Sequence, residues 1–212
     1  MKDYSSYHQI NVRDKLISDG NYLFQQALNG LSGVDVTVNG INKRLILSPK
    51  FSTDERNIMK VIAKHGDISI GDIVVYNDQN WLIYTFPDST MVYDKAYMEL
   101  CNQTLTFQGE PTRTQTGTTP WGEPIYNETP GQTFTYPCIV KSIRDLYDSN
   151  SSNEQINIAN SKIALMIKND NNDQLKENVE FDMFGNHYRI YGFDRSKTLN
   201  DKGLLIVLAD KY

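Results

Sequence analysis

Between Ile70 and Phe107 the chain is punctuated so tightly that almost nothing but a β-meander can be built from it. Gly71-Asp72 opens an apolar run, Ile73–Tyr76. Asn77-Asp78-Gln79-Asn80 turns the chain, and Trp81–Phe86 returns antiparallel. Successive strand residues face opposite ways, so Trp81, Ile83 and Thr85 share one face and Leu82, Tyr84 and Phe86 the other. Bulk on both faces suits a small closed barrel or sandwich packed on a second element. Tyr93–Cys101 reads as a strand or a helical turn, and Thr104–Phe107 as a last strand of the same module. A meander this compact leaves no room for catalytic machinery.

A weaker copy of its first half lies at Glu177–Arg195. Ile73, Val75, Trp81, Ile83 and Phe86 fall against Val179, Phe181, His187 or Tyr188, Ile190 and Phe193, with one residue of slippage at the turn. Phe184-Gly185-Asn186 takes the place of the first hairpin turn. Two related β-modules in one chain suggest a building block of an assembly rather than an enzyme.

The rest of the chain is organised around these modules. Val12, Leu16, Ile17, Phe24, Ala27 and Leu28 recur at helical spacing, with a break expected at Asp19-Gly20-Asn21 and an end at Asn29-Gly30. From Val34 the period becomes two, and Asn39-Gly40 between Val34–Val38 and Ile41–Leu47 marks a tight hairpin. Ser52 or Thr53 could cap a short helix, but a strand over 57–64 is preferred, because Lys162–Lys168 precedes the second module in the same way. Further strands are expected at Phe134–Ile143, Lys162–Ile167, Val179–Met183, His187–Phe193 and Leu204–Ala209, with polar loops at Asp148–Glu154 and Asn169–Asp173. The expected fold is mainly β: two small β-barrel or β-sandwich modules with a short helical N-terminal region. Its divisions are a helical segment 1–33, a first β-module 34–107, an extended loop or arm 108–132 and a second β-module 133–212.

Composition removes several function classes. The net charge is −5, which argues against a nucleic-acid binder whose affinity rests on a basic footprint. No apolar run approaches the roughly 20 residues of a membrane-spanning helix, and the first residues lack the apolar core of a signal peptide. Cys101 and Cys138 stand apart from each other and from any ligand-like histidine, and are expected to be reduced. His8, His65 and His187 have no metal-ligand spacing. Neither a nucleophile elbow nor a phosphate-cradling loop is present. Asp170–Asp173 lacks the alternating ligands and central glycine of a calcium loop and reads as a solvated turn. No enzyme, metal or cofactor is expected.

Gln108–Gln132 holds four prolines, four glycines and many threonines, too little to build a core. Trp121, Ile125 and Tyr126 lie within it, bulkier than a solvated linker needs. Two readings stand: these side chains pack back on the chain's own barrels, or they anchor it to a neighbouring subunit.

Gly71-Asp-Ile-Val-Val-Tyr76, Trp81-Leu-Ile83 and Met98-Glu-Leu-Cys-Asn-Gln-Thr-Leu-Thr-Phe107 resemble the head–tail connector proteins of tailed bacteriophages, the head-closure (stopper) or adaptor proteins. The resemblance spans roughly residues 55–108. It implies a structural virion protein forming a homo-oligomeric ring of six or twelve copies in the connector, or neck. A portal or adaptor protein would lie above it and a tail or neck protein below, with DNA passing through unbound. On that resemblance Trp121, Ile125 and Tyr126 are the expected interface residues. A tail terminator or tail-completion ring, and a carbohydrate- or ligand-binding β-module, are the alternatives.

Overall fold

A computed structural model describes residues 11–49, 57–143, 146 and 162–212. The chain is mainly β and divides into two compact units, Met1–Cys101 with Lys197–Leu199, and Asn102–Ser196 with Asn200–Tyr212.

The first unit contains α1 (Val12–Asn29), β1 (Gly33–Val38), β2 (Ile41–Pro49), β3 (Ile58–Ala63), β4 (Ile73–Tyr76), β5 (Gln79–Ile83), β6 (Asp88–Ser89) and β7 (Asp94–Leu100). Antiparallel ladders run β1-β2-β3-β7-β5-β4 and return to β1, so six strands close into a barrel with no free edge. Val36, Val38, Val74, Trp81 and Ile83 point inside, Trp81 and Ile83 on one face as the sequence reading had them, whereas Val75 and Phe86 are exposed. Leu82, on the opposite face of β5, is fully buried as well, as bulk on both faces of that strand anticipated. Tyr93–Cys101 resolves to strand β7, and the preferred strand over 57–64 is β3.

Helix α1 starts at Asn11, whose side chain accepts a hydrogen bond from the Arg13 N–H, and ends at Gly30. It runs unbroken through Asp19-Gly20-Asn21, where a break was expected. Gly20 is there for contact: a Cβ would stand 3.0 Å from Val92 Cγ2, so the missing side chain lets the helix lie close on the loop before β7. Phe24 and Leu28 are buried, with the Phe24 ring 5.6 Å from that of Tyr93. Arg44 fastens the other end. Its Nε donates to the Leu28 carbonyl at 2.6 Å, Nη2 to that of Gly30 at 3.0 Å, and Nη1 to the Asp35 carboxylate at 2.9 Å. A cation on the last carbonyls of a helix meets both its orphan acceptors and its dipole. Val12 and Leu16, from the same apolar stripe, remain exposed.

The second unit contains β8 (Gln103–Gln108), β9 (Thr112–Thr118), β10 (Pro124–Thr129), β11 (Thr133–Ser142), β12 (Lys162–Asn169), β13 (Glu180–Met183), β14 (Asn186–Asp194) and β16 (Lys202–Lys211); the two-residue β15 (Thr198–Leu199) falls in the short stretch grouped with the first unit. Its ladder order is β8-β11-β12-β16-β14-β13, a nearly closed barrel. Two expectations are corrected here. Thr104–Phe107 does not finish the first module: β8 pairs with β11 along its whole length and begins the second. Leu105 and Phe107 enter the second core, where the Phe107 ring stacks on Phe134 at 5.3 Å and Tyr136 at 6.2 Å. Residues 108–132 are not an irregular loop but contain the antiparallel hairpin β9–β10. The alternative helix cap at Ser52 or Thr53 and the loop Asp148–Glu154 lie outside the described residues.

The two barrels share one topology. Replacing β1, β2, β3, β4, β5 and β7 by β8, β11, β12, β13, β14 and β16 converts one strand order into the other. The repeated hairpins match with no slippage, at a constant spacing set by Gly71 and Asn178. Both of these have positive φ, 84° and 66°. The Gly71 and Asn178 N–H groups each donate 2.8 Å to the carbonyl of Ile83 or Ile190, whose own N–H returns to Asp72 or Val179. Both turns are two residues in the left-handed region, Asn77-Asp78 and Phe184-Gly185. Hence Val74, Trp81 and Ile83 correspond to Phe181, Tyr188 and Ile190, all buried.

The barrels differ at the closing seam. In the first, β1 pairs with β4 at Thr37–Val75 and Val38–Val74. Asn39 extends that closure: its N–H donates to the Ile73 carbonyl at 2.9 Å, its Oδ1 accepts from the Ile73 N–H at 3.1 Å, and its Nδ2 donates to Asp72 at 2.6 Å. The equivalent strands β8 and β13 form no ladder. Contacts between the segments that flank them span the gap instead, with Gln174 Oε1 accepting from the Glu110 N–H at 2.8 Å and Lys176 paired with the Glu110 carboxylate. Substituting Asn39→Ala removes the two side-chain seam bonds, leaves the backbone bond to the Ile73 carbonyl, and places a Cβ-bearing residue with no polar side chain at φ 48°. The expected cost is about 1–2 kcal/mol, with at least a fivefold faster amide exchange at Ile73. Asn39→Gly, which tolerates that φ, should cost less in urea unfolding while speeding exchange equally.

Candidate interaction surface

In the first unit a buried carboxylate gathers several hydrogen-bond donors. Asp94 is 5% exposed and accepts from Ser89 Oγ at 2.6 Å, the Gly66 N–H at 2.8 Å and His65 Nδ1 at 2.8 Å. Burial pushes its carboxyl up. The hydrogen bonds from Ser89, Gly66 and His65, with the His65 charge, outweigh that and hold it below the ordinary aspartate value. The arrangement is not that of a nucleophilic triad, where the histidine stands between serine and carboxylate. Here serine and histidine converge on one carboxylate, which staples β6 and the residue-65 turn to the start of β7.

In the second unit, Cys138 is fully buried and its thiol is pushed up to about 12 by burial, so it is an inert core group. Cys101 and Cys138 form no disulfide. Burial, with the hydrogen bond to Asp170, raises the Tyr136 hydroxyl to about 12, and Asn172 also donates to that hydroxyl at 2.9 Å. The Asp170–Asp173 loop thus spends its polar groups on Tyr136 and its own backbone. Between the unpaired edges of β8 and β13 runs a groove of about 670 Å³.

What stands out is the hairpin. Every residue of β9 and β10 is exposed, and among the described residues each strand has the other as its only ladder partner. Its base is pinched: Gly109 N–H donates to the Gln132 carbonyl at 2.9 Å, and a Cβ on Gly131 would stand 2.0 Å from the Gly109 oxygen. Its tip is a turn in which Thr119 N–H donates to the Glu123 carbonyl at 2.7 Å, Glu123 N–H to Thr119 Oγ1 at 3.0 Å, and Gly122 takes φ 84°.

All three residues expected at an interface sit on this hairpin. Trp121, at the tip, is 90% exposed, and Ile125 and Tyr126 on β10 are 46% and 54% exposed. They do not pack back on the barrel. As strand neighbours, Ile125 and Tyr126 face opposite ways, so the three do not form one patch. The sequence reading missed Arg113 and Glu128, which lie directly opposite each other across the hairpin with Nε to Oε1 at 2.7 Å. The signal for them was the Thr-x-Thr-x-Thr alternation of residues 112–116, a strand pattern without an apolar face.

Two barrels of one strand order, the second bearing a solvent-exposed β-arm in place of a tight turn, define a tandem-barrel protein. The chain belongs to the YomX family: the YomX N-terminal domain matches residues 6–100 and the YomX C-terminal domain residues 103–210. The gap between the two matches falls at the junction of the two compact units. The chain is similar to the SPbeta prophage-derived protein YomX of Bacillus subtilis (strain 168), with 31% identity over 213 residues covering 100% of this chain and 97% of that protein. No solved structure matches the chain. Among the described residues no helix is long and apolar enough to cross a membrane.

The Asp94 staple predicts an acid-sensitive first barrel. Because its folded-state pKa is depressed, its contribution is complete above the ordinary value near 3.8 and is lost as pH falls through the lower folded value. Asp94→Asn should cost about 2 kcal/mol at pH 7 in urea unfolding, and the gap to the unsubstituted protein should shrink as pH drops below that ordinary value.

Proposed function

We propose that this protein is a structural component of a phage particle, a connector subunit that assembles as a ring of six or twelve copies on the DNA path between head and tail. The hairpin carries this reading. A two-stranded ribbon with no buried residue gains little stability alone, and both its edges are open to pairing. A rigid barrel carrying such an arm is suited to assembly. The prophage derivation of the 31%-identical relative supports a phage setting. So does the net charge of −5, which lets DNA pass without being held.

On this reading the protein is not an enzyme, uses no cofactor and resides in the virion. A portal or adaptor protein lies on one side of the ring and a tail or neck protein on the other. A tail-terminator ring would use the same arm and is the second reading. A carbohydrate module is less well supported, because Trp121 projects from a convex turn rather than lining a concave site.

In purified particles the protein should be present at six or twelve copies by quantitative mass spectrometry. A knockout should yield heads that package DNA and then leak it. Heads that retain DNA but lack tails would transfer the assignment to the terminator, and absence from purified particles would remove the structural reading.

A further inference from the structure

We infer that the β9–β10 hairpin pairs edge to edge with the same hairpin of the next copy of this chain, β9 of one against β10 of the other, joined by alternating Arg113 and Glu128 side chains. The proposal rests on the ring reading above and names its contact.

Three observations converge on it. First, the arm is an insertion at one point of a repeated fold. The turn between β1 and β2 is Asn39-Gly40, whereas the turn between the equivalent strands β8 and β11 is expanded into residues 109–132. The first barrel closes with the two-residue turn, so the hairpin is surplus to barrel folding. Second, no described strand pairs with either outer edge of the hairpin, and the β9 edge continues that of β8 through Gly109-Glu110-Pro111. Long free edges are the template on which another chain adds.

Third, the two edges are complementary. In antiparallel sheets β9 of one copy can lie only beside a strand of the opposite sense, which β10 of the next copy supplies. Arg113 on β9 and Glu128 on β10 already hold the same register within one hairpin. Repetition in that register sets each Arg113 between two Glu128 side chains, one from its own copy and one from the next. Edge β9 carries the cation and edge β10 the anion, so the contact is head to tail, the kind that closes into rings. The charges share their face with Gln115 and Tyr126, while Thr112, Thr114, Asn127 and Thr129 on the other face are uncharged.

Charge reversal with mixing tests this. Arg113→Glu and Glu128→Arg each place like charges at every contact between copies, and each should weaken association about tenfold by mass photometry. Both sites are exposed, so circular dichroism should be unchanged. Mixing the two variants should restore the assembly of the unsubstituted protein, with alternating composition by native mass spectrometry. The like-charge clash inside each hairpin persists in the mixture, so rescue can come only from contacts between copies. Failure of the mixture to assemble overturns the proposal, as does either variant assembling like the parent.

Replacing residues 110–131 by Asn-Gly separates the two readings. Rings that persist without the hairpin sink this contact and leave the connector assignment standing. An unsubstituted chain that stays monomeric at all concentrations sinks the contact, and its absence from particles sinks the assignment as well.

Discussion

Every strand edge in this protein has to be paired, covered or left for another chain, and the architecture follows from how each edge is treated. In the first barrel the problem is solved internally. Two residue pairs join β1 to β4, and Asn39 adds three hydrogen bonds at the point where the ladder runs out. The second barrel has the same six strands in the same order but does not complete the ladder. Gln174 and Lys176 reach across to Glu110 instead, an exposed bridge of side chains with solvent between the strand edges. Exposed ion pairs contribute little to stability, so this seam is held mainly by the core behind it, where Phe107, Phe181 and Tyr188 pack.

Unsatisfied edges concentrate at one place as a result. The outer edge of β8 faces the groove, and beyond Gly109-Glu110-Pro111 the outer edge of β9 carries on into solvent. Natural sheets normally blunt such an edge with prolines, charges or bulges. The hairpin has each of these, Pro111 and Pro124 at strand boundaries, Arg113 and Glu128 on the strands, and a bulge between Ile125 and Tyr126, but only in part. The central stretch from Thr112 to Gln115 is regular and open. That combination limits indiscriminate pairing while leaving a short regular stretch of edge open.

Much of the fold was legible in the sequence, because local chemistry dictates it. Asn39-Gly40 and Asn77-Asp78 supply residues that accept positive φ, and the alternation around them names the buried faces. The repeat itself was visible, but its register was misjudged by one residue. The cue used was apolar character, which matched Ile73 to Val179. The structure aligns the positive-φ residues Gly71 and Asn178, whose turns start the hairpins, and the apolar pairs then shift into step. Gly20 misled for a related reason: read as a helix breaker, it is a contact residue, and nothing local distinguishes the two. The module boundary was illegible because it depends on a partner in another part of the chain. Leu105 and Phe107 have the same pattern whichever barrel they enter, and only pairing with Thr133–Cys138 decides it. The run Cys101-Asn102 therefore ends one module and starts the next, with Cys101 bonded to Asn80 and Asn102 to Val140.

The candidate surface was half legible, and the missing half is the more instructive. Trp121, Ile125 and Tyr126 drew attention through bulk, and all three prove exposed. Yet their scatter over the tip and both faces of the ribbon means that no single flat partner can bury them together. Edge pairing would leave both faces of the ribbon open, so these three side chains mark exposed bulk rather than one contact. Comparison of the barrels points to the edges instead. Two residues suffice to turn β1 into β2, so nothing in barrel folding calls for the longer excursion between β8 and β11. Its Thr-rich strands, pinched glycine base and single opposed charge pair have no internal use in this chain. A segment that the barrel turn does not require, and that buries none of its strand residues, gains little stability alone and leaves two strand edges available for pairing.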